Sequence, residues 1–252
     1  MKPLIVQNPW HQLRKFTPAR IALGRSGNSM PTQAVLEFGL AHARARDAVH
    51  IPLDCETLIA QLKLGGFDAV AVQSAATDRS QYLHRPDLGR QLNEAARTSL
   101  RKLVLPVKPD VVFMIGDGLS SGAVASHAAP LLKEVSSKLG GWAMAPIIVA
   151  EQARVALGDE VGQLLGAEVV VVLIGERPGL SSPNSLGIYL TYAPQPGRSD
   201  AERNCISNVR PEGLSYSKAA HKLCYLLTAA RRLRLSGIGL KDESDLIPSI
   251  SP

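Results

Sequence analysis

Two charged residues, Glu176 and Arg177, come after Gly175, which ends an apolar run from Val169 to Ile174. Such a run is typical of a strand buried on both faces of a parallel sheet. Open α/β sheets bind their ligands beyond the carboxyl ends of the strands, so these charges are placed to hydrogen bond to a polar ligand. The alternative is an ion pair on the surface, which contributes little to stability.

A second stretch with unusual chemistry runs from Asp200 to Asn208 and places charged and amide side chains around Cys205. It follows a predicted strand and precedes a predicted helix, so it also lies near the edge of the sheet. A cysteine in such a position is either a reactive thiol or a small apolar residue that packs in the interior. The sequence leaves both interpretations open and favours the packed residue.

The glycine-rich segment GDGLSSG, residues 116–122, lies between a predicted strand and a predicted helix. It is either a tight turn or a loop whose amide groups face a ligand. Its glycines are spaced one residue too far apart for a dinucleotide-binding fingerprint. The segment also contains G-x-S-x-G, which predicts a serine hydrolase as an alternative, with Ser120, Asp200 and His221 as its triad. The position of His221 inside an amphipathic helix argues against that alternative.

Strands and helices alternate along most of the chain, which predicts an α/β fold with a doubly wound, mainly parallel sheet. Residues 1–84 are predicted to form a smaller, mainly helical N-terminal domain, and the chain from Gly237 onward a frayed tail. Asp87 is a candidate N-cap for the first helix of the larger domain. The strands are predicted at residues 110–115, 146–150, 169–174 and 186–192, and the helices that follow at 119–139, 159–165 and 215–235.

The composition excludes several classes of protein. The chain has 252 residues, a formal net charge of +6 and only 4% aromatic residues, and its basic residues are dispersed, so binding to nucleic acid is not predicted. Three widely spaced cysteines indicate reduced thiols in a cytoplasmic protein. No histidine pair has the spacing of a metal site, and no apolar run reaches the roughly 20 residues of a membrane span.

Several segments together resemble the small subunit of ethanolamine ammonia-lyase. The resemblance extends from about Asn8 to Gly239, and GERPGL followed by DAERNCISN is its most specific part. The segments that carry it are ARIALGRSGNSMPTQAVLEF (19–38), RPDLGRQL (85–92), DGLSSGAV (117–124), VLIGERPGLSSPNSLGIYLTYAP (172–194) and DAERNCISNVRPEGLSY (200–216).

This resemblance implies an enzyme that uses adenosylcobalamin and radical chemistry to convert ethanolamine to acetaldehyde and ammonia. The catalytic residues and the ethanolamine site belong to the large subunit, with which the small subunit forms a hetero-oligomer. The small subunit has a helical N-terminal domain (here 1–84) and a Rossmann-like domain (85–252) that covers the cobalamin. The implied location is the cytoplasm, or a bacterial microcompartment within it.

The resemblance also assigns three positions of this chain to the cofactor. Matched through ARVALGDEVGQLLGA, IGERPGL and AERNCISN, they are Val155, Glu176 and Cys205. The rim of the corrin ring carries neutral amides, whose N–H groups suit a carboxylate such as that of Glu176 and main-chain carbonyls near the other two residues. The resemblance implies no catalytic residue and no cobalt ligand in this chain.

Overall fold

Six strands form one mixed sheet in the computed structural model, which describes residues 4–246. The order across the sheet is β1-β3-β2-β4-β5-β6. The first four strands in this order are parallel, as predicted, whereas β5 is antiparallel to β4 and β6 is antiparallel to β5. The strands are β1 (Ala69–Gln73), β2 (Val111–Gly116), β3 (Ile147–Glu151), β4 (Val169–Gly175), β5 (Leu186–Tyr192) and β6 (Asn204–Val209).

Helices cover both faces of the sheet. One face packs against α2, α5 and α7, and the other packs against α4 and α6. Helix α1 precedes the first strand and buries none of its residues. The helices are α1 (Thr32–His50), α2 (Cys55–Leu64), α3 (Arg79–His84), α4 (Glu94–Lys102), α5 (Ser121–Ser136), α6 (Leu157–Leu165) and α7 (Tyr216–Leu233).

The burial of the central strand β4 on both faces accounts for its apolar sequence. Every residue of it is buried, and successive side chains point to opposite faces of the sheet. Val171 and Leu173 pack in the core beneath α5 and α7, whereas Val170 and Val172 pack in the core beneath α4 and α6. Because both faces are covered, the strand has no position at which a polar side chain would meet water, and an unbroken apolar run results.

The local signals for helix ends are confirmed at some sites and corrected at another. The side chain of Asp54 accepts a hydrogen bond from the amide of Thr57 at 3.0 Å and caps α2. Gly166 ends α6 in the left-handed region, with φ of 66°. The predicted cap at Asp87 is wrong, because only a short 3-10 turn follows it and α4 begins later, where Asn93 accepts from the amide of Ala96 at 2.8 Å.

Strand β6 was not predicted, although the stretch that forms it was singled out for its polar residues. Its burial alternates because it lies at the edge of the sheet: Ile206 and Val209 are buried, whereas Cys205 and Ser207 are exposed. A strand with one open face needs few apolar residues. The hydrophobic pattern of this segment is therefore too weak to predict a strand.

The segment after α7 is ordered as far as residue 246, so the prediction of a frayed tail is wrong for this part. Its 3-10 helix Ser244–Leu246 packs against α7, and its 3-10 helix Gly237–Gly239 packs against the 3-10 turn Asp200–Glu202. Lys222 of α7 contacts Asp242 at 3.1 Å. The rest of the predicted tail, 247–252, lies outside the described residues.

At the other end of the chain, β1 pairs with β3 although it precedes residue 85. The division into domains at that residue remains a prediction. Within residues 4–246, no helix is both long and apolar enough to cross a bilayer.

Candidate functional site

The carboxyl ends of β2 and β3 lie side by side, at the point where the chain changes direction across the sheet. From β2 the chain passes through α5 to β3 on one side, and from β3 through α6 to β4 on the other. Such a divergence leaves a crevice between the loops that follow the two strands. The predicted site residues in the loops after β3 and β4 are therefore placed at the same edge.

Gly118 and Gly175 bring the loops after β2 and β4 into direct backbone contact. The amide of Leu119 donates to the carbonyl of Gly175 at 3.0 Å. Gly118 has a φ of +55°, and a Cβ atom there would lie 2.2 Å from the same carbonyl oxygen. Gly118 of the GDGLSSG segment thus allows two segments of the backbone to approach closely, as the turn interpretation predicts.

Glu176 ties the end of β4 to the end of β6. Its carboxylate accepts a hydrogen bond from the hydroxyl of Ser185 at 2.5 Å and from the amide of Asn208 at 3.1 Å. Its own amide donates to the carbonyl of Ser185 at 3.0 Å. Within residues 4–246 the main-chain carbonyl of Glu176 accepts no hydrogen bond, and the side chain forms no ion pair with Arg177.

Val155 and Glu176 line the same cleft, which has a volume of about 400 Å³. Val155 lies in the loop between β3 and α6, and Glu176 follows β4. Tyr189 on β5 forms a further part of the wall. The structure therefore brings together two of the three residues that the resemblance assigns to the cofactor. The cleft is lined by Tyr82, Gly118, Leu119, Arg154, Val155, Ile174, Gly175, Glu176, Arg177 and Tyr189.

Cys205 lies next to this cleft, on the neighbouring strand. It pairs with Tyr189 across the β5–β6 ladder, and burial together with the nearby thiol raises the pKa of Tyr189. The interpretation of Cys205 as a packed interior residue is wrong, because its side chain is exposed and lies 3.3 Å from the hydroxyl of Ser207. On this face of β6, Cys205 and Ser207 are exposed, whereas Gly187 and Thr191 on the same face of β5 are buried and Tyr189 is half-buried.

A buried ion pair sets the position of β6 relative to α6. The guanidinium group of Arg203 donates two hydrogen bonds of 2.6 Å to the carboxylate of Asp159, and a third of 2.9 Å to the hydroxyl of Thr191. Arg203 precedes Cys205 by two residues, and Asp159 follows Val155 by four. The pair therefore links the backbone segments that carry two of the candidate residues. Sequence analysis missed it because the partners are 44 residues apart.

Asp117 fixes the loop that carries Val155. Its carboxylate accepts from the amides of Gln152 and Ala153 at 3.0 and 2.8 Å, and from the guanidinium of Arg79 at 2.9 Å. Burial raises the pKa of Asp117, whereas the Arg79 charge and the two amides act in the opposite direction. A carboxylate with three donors at these distances holds the end of β3 firmly against β2.

The residues of the predicted hydrolase triad are not brought together. Ser120 is fully buried, and its hydroxyl donates to the carbonyl of Pro183 at 3.0 Å and caps α5. His221 hydrogen bonds to the carbonyl of Ser244, and the Asp200 side chain is 98% exposed. The serine hydrolase prediction is wrong, because this serine contacts no base and has no open approach for a substrate.

The cleft and the exposed residues of β6 beside it are suited to binding. The carbonyl of Glu176 is a free acceptor, Cys205 and Val155 are accessible, and Tyr189 offers part of an aromatic ring. No group of three His, Cys, Asp or Glu side chains that could hold a metal ion occurs within residues 4–246. The arrangement can hold the edge of a large ligand that offers hydrogen-bond donors.

Comparison with known proteins supports one family. The family model described as ethanolamine ammonia-lyase light chain matches residues 7–241. Similar proteins, each named ethanolamine ammonia-lyase small subunit, occur in Pseudomonas fluorescens (54% identity, covering 97% of this chain and 90% of the relative), Pseudomonas putida (57%, 95% and 90%) and Azotobacter vinelandii (56%, 95% and 90%). The chain therefore belongs to the ethanolamine ammonia-lyase light chain family.

Proposed function

We propose that this chain is the small subunit of an adenosylcobalamin-dependent ethanolamine ammonia-lyase, which converts ethanolamine to acetaldehyde and ammonia. Family membership supports the activity. When bound, the cofactor supplies an adenosyl radical by homolysis of its cobalt–carbon bond. Among residues 4–246 the candidate Ser120 is paired with no base, and we assign the ethanolamine site and the radical chemistry to a large subunit that binds this chain in a hetero-oligomer.

The observation that carries the proposal is the Val155–Glu176 cleft, with the exposed residues Cys205 and Ser207 of β6 beside it. It fits a corrinoid because the corrin rim carries amide N–H donors, while the cleft offers a carboxylate and a free main-chain carbonyl at Glu176. Val155 and Cys205 flank these acceptors with accessible surface. The task of a protein toward such a cofactor is to bind it, orient it and exclude water.

Glu176 has two tasks in this proposal. Its carboxylate holds the loop after β4 against Asn208, and this contact fixes the segment that lines the cleft. The same carboxylate retains lone pairs for a donor from the ligand. The fold around it is, in our interpretation, a Rossmann-like doubly wound sheet with an antiparallel extension. We place the protein in the cytoplasm, or in a bacterial microcompartment within it.

The proposal is tested by Glu176→Ala in the complex with the large subunit. We expect cobalamin affinity, measured by equilibrium dialysis, to fall about tenfold, because hydrogen bonds to charged groups contribute about 1.5–3 kcal/mol. The KM for ethanolamine should change less than twofold. Glu134→Ala is the matched control, since Glu134 is an exposed residue of α5. Cobalamin affinity that is unchanged in Glu176→Ala would remove this residue from the site.

A further inference from the structure

The guanidinium group of Arg154 has no polar partner in this structure. Within residues 4–246 its side chain makes no hydrogen bond and no ion pair, and its Nε atom is buried without a partner. The group lies over the ring of Tyr82, with Cζ 4.5 Å from the ring centre. Leaving a buried donor unpaired is costly, and the outer donors of the half-buried Arg154 are free to bind an acceptor.

Arg154 and Val155 separate two clefts. One is the 400 Å³ cleft beside Glu176, and the other has a volume of about 700 Å³ and includes Arg90 and Arg198 in its lining. Residue Asp200 is the one acidic residue in the lining of the larger cleft, and its side chain is 98% exposed. A concave surface with this composition attracts an anionic group.

The arginines of the larger cleft differ in whether their guanidinium groups already have hydrogen-bond partners. Arg198 is neutralised by Glu202 and donates to the carbonyl of Ala193 at 3.1 Å. Arg90 is exposed and, like Arg154, has no side-chain partner among residues 4–246. Two full positive charges are thus available, and the amino-terminal end of α6 adds its own partial positive charge at the same place.

We propose that Arg154 and Arg90 form a binding site for a phosphate ester in this larger cleft. Phosphate oxygens match the planar fork of a guanidinium group, and two forks beside a helix amino terminus form a common type of phosphate site. Stacking on Tyr82 fixes the plane of the Arg154 guanidinium and leaves its outer donors free. Because we propose that the neighbouring Val155–Glu176 cleft binds a corrinoid, one source of the phosphate ester is the phosphodiester of the cobalamin nucleotide loop. Free phosphate is the other source, and only the first source rests on the proposed function.

A comparison of two corrinoids distinguishes these two sources of phosphate. Cobalamin carries the phosphodiester and cobinamide lacks it, so their affinities for the complex with the large subunit are compared by equilibrium dialysis. The variants are Arg90→Gln, whose exposed side chain supports no part of the fold, and Arg154→Gln. Arg232→Gln, an exposed arginine of α7 without a side-chain partner among the described residues, is the matched control. A second measurement is calorimetric titration of the full chain with inorganic phosphate.

We expect Arg90→Gln and Arg154→Gln each to weaken cobalamin binding about tenfold and cobinamide binding less than twofold. The control should change neither affinity. Loss of inorganic phosphate binding in both variants, with both corrinoids unaffected, would support the phosphate site and assign it to free phosphate. If the wild-type complex bound no cobalamin while the phosphate titration behaved as expected, the proposed function would fail and this site would stand.

Three results would overturn the proposal. An equal loss of affinity for both corrinoids would mean that the arginines act on the ring. A loss confined to binding of the large subunit would mean that they pair with carboxylates of a protein. Unchanged binding of both phosphate and cobalamin in Arg90→Gln and Arg154→Gln would show that the cleft holds no phosphate.

Discussion

The sheet and the amino-terminal segment 4–50 use apolar residues in opposite ways. Every residue of β4 is buried, whereas the 19 residues of α1 include none that is buried. Trp10, Phe16 and Leu36 in the amino-terminal segment are 68%, 86% and 67% exposed. The segment is joined to the rest mainly through polar contacts, such as that of Arg20 with the carbonyl of Leu180 at 3.2 Å.

This difference shows where the stability of the isolated chain originates. Burial of apolar area stabilises the folded state by about 25 cal/mol per Å². The side chains of β4 are buried beneath the helices on both faces of the sheet. The apolar residues of α1 remain in water and contribute little. Apolar residues in the two regions are therefore expected to respond differently to substitution, and three experiments test this contrast.

The largest effect is expected at the ion pair between Asp159 and Arg203. Both side chains are almost fully buried, at 0% and 1% exposure, so Arg203→Met leaves a carboxylate without compensation in the interior. We expect the free energy of unfolding in urea to fall by about 3–5 kcal/mol. Combining Arg203→Met with Asp159→Leu should recover much of this loss. A cost below about 1 kcal/mol for the single substitution would contradict the assignment of this pair to the rigid part of the molecule.

A matched pair of leucines tests the contrast directly. Leu173 in β4 is fully buried, whereas Leu36 in α1 is mostly exposed. Leu173→Ala should lower the free energy of unfolding by about 3 kcal/mol, because it removes buried methyl groups and leaves a cavity. Leu36→Ala should change it by less than about 0.5 kcal/mol. Urea denaturation of both variants measures the difference, and equal losses would mean that α1 is packed in solution.

The smallest effect is expected at Glu202, on the surface of the sheet region. The amide of Ser199, with Arg198, lowers the pKa of Glu202 from 4.5 to about 2. A lowered pKa in the folded state contributes stability above pH 4.5, and this contribution is lost as pH falls toward 2. Unfolding of the wild type and of Glu202→Gln should therefore differ at pH 6 and converge near pH 2. A difference that persisted at pH 2 would show that the carboxylate charge is not its origin.

Sequence analysis predicted the parts of the fold that leave a local pattern. The apolar run of β4 and the strand β5 each carry their signal within a few residues, and the structure confirms both strands. Strand β6 was missed because one of its faces is open. The antiparallel direction of β5 was also missed, since periodicity indicates a strand but not its direction.

Residues of the candidate site could be predicted only where the adjacent sequence carried a signal. Glu176 and Cys205 were singled out because of the predicted strands near them, whereas Val155 was assigned only through the resemblance to a family. Arg154 and the pair of Asp159 with Arg203 carry no local signal, because their importance depends on contacts between distant segments. The glycines of the GDGLSSG segment were recognised, but the reason for them appeared only with the backbone of β4 beside them.

The contact between Gly118 and Gly175 has a consequence for how this protein can diverge. The two residues are 57 positions apart, yet neither tolerates a side chain while the other strand end stays where it is, since a Cβ on Gly175 would lie 2.1 Å from the carbonyl of Ser120. A change at one position displaces both loops together. Related sequences are therefore expected to retain both glycines, or to replace them together with a shift of the loops after β2 and β4.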